Sequence, residues 1–151
     1  MQFASKGSLK VNLRKIITLA SLLVVVSSPA MAKTFLIHIT TGPDNPTEAA
    51  LGFTVAVAAQ TAGNTVNVFL AGDGASLITD SAISSVIGKG TGKLQDSFDA
   101  LIKGGTHFYI SGMSAKARSI ADADITGKPA EFAMPSKLIE LATAADVVLH
   151  Y

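Results

Sequence analysis

The chain has 151 residues, 48% of them hydrophobic and 15% charged, and no cysteine. That is enough apolar material for one domain with its own core, and it excludes a disordered chain, a collagen-like repeat and a disulfide scaffold. The formal charge is +1, but Lys6, Lys10, Arg14 and Lys15 all precede residue 16. From residue 33 onward eight Lys/Arg face eleven Asp/Glu, a net −3 that offers no electrostatic footprint for nucleic acid.

The first 32 residues have the three-part layout of a secretory signal peptide. A basic segment is followed by the apolar run 16–26 (IITLASLLVVV) and by small residues ending in Ala30-Met31-Ala32. Eleven residues rise only about 16 Å as a helix, against the roughly 30 Å of a bilayer core, so a membrane anchor is disfavoured. Cleavage after Ala32 would leave Lys33 to Tyr151, a chain expected in a bacterial periplasm or outside the cell and no longer bound to a membrane. Without cysteine it has neither a lipid attachment point nor disulfides, so burial and self-association must stabilise it.

Residues 34–40 (TFLIHIT) form a nearly continuous β-branched and aromatic run, the pattern of a strand covered on both faces. After the break at Thr41-Gly42-Pro43-Asp44, Asn45 supplies a cap, Pro46 a first helical position and Glu48 a third. A helix is predicted to about Ala62, with an apolar face through Ala50, Phe53, Val57, Ala58 and Thr61, stopped by Gly63-Asn64. Residues 65–71 (TVNVFLA) are a second strand ended by Gly72-Asp73-Gly74. A short helix is expected over 76–87 and a flexible loop over 88–92. A helix over 93–103 then places Leu94, Phe98, Leu101 and Ile102 on one face.

Residues 106–110 (THFYI) are a third strand, turned by Ser111-Gly112 into a short helix over 113–121. Residues 122–130 read as loop, 131–134 as a brief strand, Pro135-Ser136 as the start of a helix to about Ala145, and 146–151 (DVVLHY) as the last strand. Strands alternating with helices imply right-handed crossovers and a parallel sheet covered on both faces in an α/β domain spanning 33–151. Ligands bind such sheets outside the carboxyl ends of the strands. Attention therefore falls on Thr41 and Gly42, on Asp73, and on Ser111, Ser114, Lys116 and Arg118. If 113–121 is helical, its free N–H groups, two hydroxyls and two cations could seat a small anion.

Three motifs stand in order: Thr40-x-Gly42-Pro43-Asp44 before a helix, Val66-x-Val68-Phe69-Leu70-x-Gly72-Asp73-Gly74 at strand two, and Ser111-Gly-Met-Ser-Ala-Lys-Ala-Arg-Ser-Ile120 after strand three. Together they resemble the DsrE/DsrF-like family of small sulfur-metabolism proteins, over nearly all of residues 34–151. The resemblance implies a three-layer α/β/α domain with a five-stranded parallel sheet, the last strand beside the first, and assembly as a homo-oligomer, a trimer or hexamer. That last strand is expected inside the sheet. In sulfur-transferring members, a segment similar to Cys-x-x-Cys/Ser-Ala-Lys-Ala-Arg-Gly carries a persulfide. Ser111 and Ser114 occupy the matching positions here, while Lys116 and Arg118 remain. A serine hydroxyl titrates far above a thiol and cannot form the S–S bond, so this chain by itself cannot carry sulfur covalently.

Other chemistries find little support. No Gly-x-Ser-x-Gly elbow or Ser-x-x-Lys pair is present. Residues 88–93 (GKGTGK) have one residue too few between glycines for a phosphate loop, and leucine follows the lysine. Asp122, Asp124 and Gly127 begin like a calcium loop, but its twelfth position is Ala133. His38 and His150 share a sheet face if the last strand pairs with the first, yet no third metal ligand is evident. Asp96 and Asp99 fit a solvated helix face. No cofactor is called for. The sequence thus points to a non-catalytic exported protein that binds a small anion or a partner protein at the strand ends. The alternative is an accessory subunit of a sulfur-relay or redox system whose partner supplies the thiol.

Overall fold

The computed structural model describes residues 31–151, so the leader expected over residues 1–32 lies, up to residue 30, outside the described residues. The first strand, β1 (Thr34–Ile39), turns Phe35, Ile37 and Ile39 to one face of the sheet and Leu36 and His38 to the other. Helix α1 (Pro46–Thr61) starts as its sequence dictates. The Asn45 side chain accepts from the Glu48 N–H at 3.4 Å and donates back to the Glu48 carboxylate at 2.6 Å. Its buried residues are Ala49, Ala50, Gly52, Phe53, Ala56 and Ala59, while Ala58 and Thr61 are exposed. The packed face is rotated from the predicted one. Apolar residues run almost all round this helix, so periodicity cannot choose the face and contact with the sheet does.

Strand β2 (Thr65–Leu70) is followed by a 3-10 segment, Gly72–Ile78, and by α2 (Asp80–Ser85). The single short helix expected over 76–87 is therefore divided. Thr79 is extended, and its hydroxyl caps α2 by accepting from the Ala82 N–H at 3.3 Å. The stretch expected as a flexible loop is a small antiparallel hairpin, β3 (Ile87–Gly88) with β4 (Gly92–Lys93), lying against α1; the Lys89 N–H donates to the Thr47 hydroxyl at 3.1 Å. Helix α3 (Leu94–Lys103) buries Leu94, Phe98 and Leu101 as predicted.

Strand β5 (His107–Ser111) leads into α4 (Gly112–Ala117), which ends four residues before the predicted boundary; Ser119 there adopts φ 55°. Residues expected as loop contain the one-turn α5 (Asp122–Ile125), where the Asp124 carboxylate accepts from the Ala121 N–H at 2.8 Å. Then follow β6 (Ala130–Ala133), α6 (Pro135–Ala144) and β7 (Val147–His150).

The five long strands pair in parallel in the order β6-β5-β2-β1-β7. The last strand lies beside the first, as the resemblance implies, but at the edge of the sheet. The expectation of an interior position fails because, among the described residues, β7 pairs with β1 alone and its far side carries no strand. One face of the sheet carries the main core, in which Phe53, Phe98 and Phe108 have ring centroids 4.9 to 6.5 Å apart. On the other face α6 is the one helix of the third layer among the described residues, packing Leu138, Leu141 and Ala142 over Leu36, Phe69 and Ala133. Among the described residues no helix is long and apolar enough to cross a membrane.

Candidate functional site

The turns at the carboxyl ends of β1, β2 and β5 meet. Gly42 lies so close to the turn after β2 that a Cβ on it would sit 2.7 Å from the Asp73 Cβ. Gly74 is pressed on β1 in the same way: a Cβ there would fall 2.5 Å from the Ile39 carbonyl oxygen, and its N–H donates to Thr40 at 2.9 Å. Gly42 and Gly74 thus serve close backbone approach.

Five of the predicted residues converge here. Ser111 is 7% exposed and caps α4, its hydroxyl accepting from the Ser114 N–H at 3.4 Å. The Ser114 hydroxyl accepts from the Gly72 N–H at 2.9 Å. Arg118 donates to the Ser114 carbonyl at 3.2 Å and forms an ion pair with Asp73 at 2.5 Å. Gly42 completes the group, packed against Asp73. Both hydroxyls therefore accept from backbone N–H groups, and the guanidinium is shared between the Ser114 carbonyl and the Asp73 carboxylate. The charge that Arg118 could offer an anion is already met by Asp73.

Two predicted residues lie apart from this cluster. The Thr41 N–H donates to the Tyr151 carbonyl at 3.4 Å, on the β1–β7 side. Lys116 lines a groove of about 340 Å³ with Gly112, Ala115, Ile120 and Phe132, between α4 and the edge strand β6. No ion pair engages Lys116 among the described residues. The sequence offered no signal for the groove walls. Ile120 and Phe132 meet there only because β6 pairs with β5, in a register that sets Phe132 beside Ile110.

On the α6 side of the sheet, His38 and His150 are register partners on β1 and β7, with ring centroids 5.0 Å apart. Burial, and next the neighbouring His150, hold the His38 imidazole below its ordinary pKa. Further along this face the Tyr109 hydroxyl is pushed up, by burial first and by Glu131 second. Among the described residues no group of three or more His, Asp or Glu side chains could hold a metal.

A parallel five-stranded sheet between helical layers, with glycine-bearing turns gathered at its carboxyl edge, defines an α/β/α domain of the doubly wound class. The model of the DsrE/DsrF-like family matches residues 33–151, and the chain belongs to that family. Its fold is similar to that of the YchN protein from E. coli, with a TM-score of 0.63 and 17% identity over 80% of this chain and 100% of that one. It is also similar to BT1422, a conserved protein of unknown function from Bacteroides thetaiotaomicron, with a TM-score of 0.57 and 16% identity over 81% and 99% of the two chains. No curated protein matches the chain.

Proposed function

We propose that this protein is an exported, thiol-free member of its family that binds a small anion reversibly in the groove between α4 and β6. The observation that carries this reading is Lys116, a cation without an ion-pair partner among the described residues, set in a wall otherwise built of Gly112, Ala115, Ile120 and Phe132. Such a groove suits an anion with an apolar body: the ammonium fixes the charge and the walls take the hydrocarbon. Arg118 and Asp73 hold α4 against the 3-10 segment beside it. With no cysteine in the chain, recognition is noncovalent.

Hexanoate, titrated into the full protein and followed by NMR, tests this. Saturable shifts at Ile120 and Phe132, absent with 1-hexanol and weakened tenfold or more in Lys116→Met, are expected. Saturation unchanged in Lys116→Met would sink the site. Arg118→Ala is the companion variant, and unchanged affinity there would remove Arg118 from the ligand's contacts.

Export and self-assembly belong to the same reading. Protein recovered from a bacterial periplasm should begin at Lys33. Assembly as a trimer or hexamer finds support in Met134, 62% exposed at the end of edge strand β6, and Met113, 61% exposed on α4. Native mass spectrometry of the processed protein should show three or six chains; a monomer would refute assembly.

A further inference from the structure

In the strand order β6-β5-β2-β1-β7 the chain builds outward from β1 on one side, then crosses to place β7 on the other. The order reverses between β1 and β7, and a crevice opens outside the carboxyl ends of two such strands. The two histidines stand there. His38 and His150 are register partners on the same face, one residue from the end of β1 and at the end of β7. The chain has three histidines and no cysteine, so two of its three best ligands for a transition metal are adjacent.

We infer that His38 and His150 form a two-imidazole site for a borderline divalent cation, Zn(II), Ni(II) or Cu(II), whose remaining coordination positions are filled by water. An ion bonded to an imidazole nitrogen at about 2.1 Å lies about 3.2 Å from that ring's centroid. Two rings sharing one ion are then about 4.5 Å apart at a right angle and about 5.2 Å apart at the tetrahedral angle. The observed 5.0 Å falls between these values. The rings meet edge to face at 73°, and turning both nitrogens onto one ion requires rotation about the Cβ–Cγ bond, a soft torsion in histidine. His150 is exposed and held only by a 3.3 Å contact with the Thr40 hydroxyl.

A second observation points the same way. The Nε2 atom of His38 is buried and has no hydrogen-bond partner. A buried polar atom left unpaired is costly, and a cation bridging to His150 supplies the missing partner. The edge of the Phe69 ring, 5.7 Å from His38, backs the pair with apolar surface. Ca²⁺ and Mg²⁺ demand oxygen donors and do not fit.

The test uses the untagged full chain, titrated with ZnCl₂ and with NiCl₂ by calorimetry, together with NMR of the three histidine ring C–H signals. One ion per chain is expected, with Zn(II) shifting and Ni(II) broadening the His38 and His150 signals and sparing His107. His150→Ala and His38→Gln should each weaken binding at least tenfold, and His107→Ala less than twofold. His150 is exposed on an edge strand, so its variant reads metal affinity without loss of the fold. Four outcomes would each overturn the site: no saturable binding, one ion per two chains, equal loss in His107→Ala, or retained affinity in both pair variants.

Discussion

His38 sits one residue from the end of a strand whose other side chains are nearly all apolar, and its chemistry follows from that position. Its folded pKa lies below the ordinary 6.5, because burial disfavours the imidazolium and His150 adds like charge. The unfolded chain therefore binds a proton more readily than the native one. Stability is complete above pH 6.5 and declines as the pH falls from there through the lowered pKa. An NMR titration should place the His38 midpoint below 6.5. The melting temperature should fall between pH 7 and pH 5, more steeply than in His38→Leu; a midpoint at or above 6.5 would contradict this. The histidine was legible in the sequence as a strand residue. Its partner was legible only as a conditional, since His150 is 112 positions away and its place depended on where the last strand docks.

At the scale of elements, α1, α3 and α6 were readable because caps and periodicities are local. Contacts made across the chain were not. Lys128 falls in the stretch 122–130 expected as loop, but its ammonium donates to the carbonyls of Ile78 at 2.9 Å and Asp124 at 2.6 Å, and pairs with Asp80 at 2.7 Å. It thereby ties α5 to the 3-10 segment and α2. Its side chain is 12% exposed and that of Asp80 is 92% exposed, so the two ends of the pair differ in value. Lys128→Met leaves two carbonyls without their charged donor and should cost about 1–3 kcal/mol in urea unfolding. Asp80→Asn should cost no more than about 1 kcal/mol, as for an exposed ion pair. Equal effects from the two variants would show that the carbonyl contacts contribute nothing.

At the scale of the molecule, the sheet has two unlike edges. The β6 edge adjoins the Lys116 groove, and the β7 edge carries His150 and the exposed Val148. An edge strand is lost at less cost than an interior one, but β7 still half-buries Val147 and Leu149, with Tyr151 following. At about 1 kcal/mol for each half-buried side chain, removing residues 146–151 should destabilise the protein by about 3 kcal/mol. It would also bare the ladder of β1, an apolar edge open to pairing with other chains. The truncated chain should melt lower and self-associate on heating. A melting curve matching that of the intact chain would show that β7 is dispensable.

Local patterns in the sequence, such as alternation, helical spacing, caps and glycine breaks, determined which stretches become strands and helices, and the order of three short motifs determined the family. The lack of any thiol determined that sulfur is not carried covalently by this chain. Tertiary structure decided the rest: the edge position of β7, the pairing of Arg118 with Asp73 45 residues away, the groove that receives Lys116 and the meeting of His38 with His150. The reason is physical. Secondary structure is selected by neighbours within a few residues, whereas the groups that share a site are set by which faces and strand edges pack together once the chain is closed.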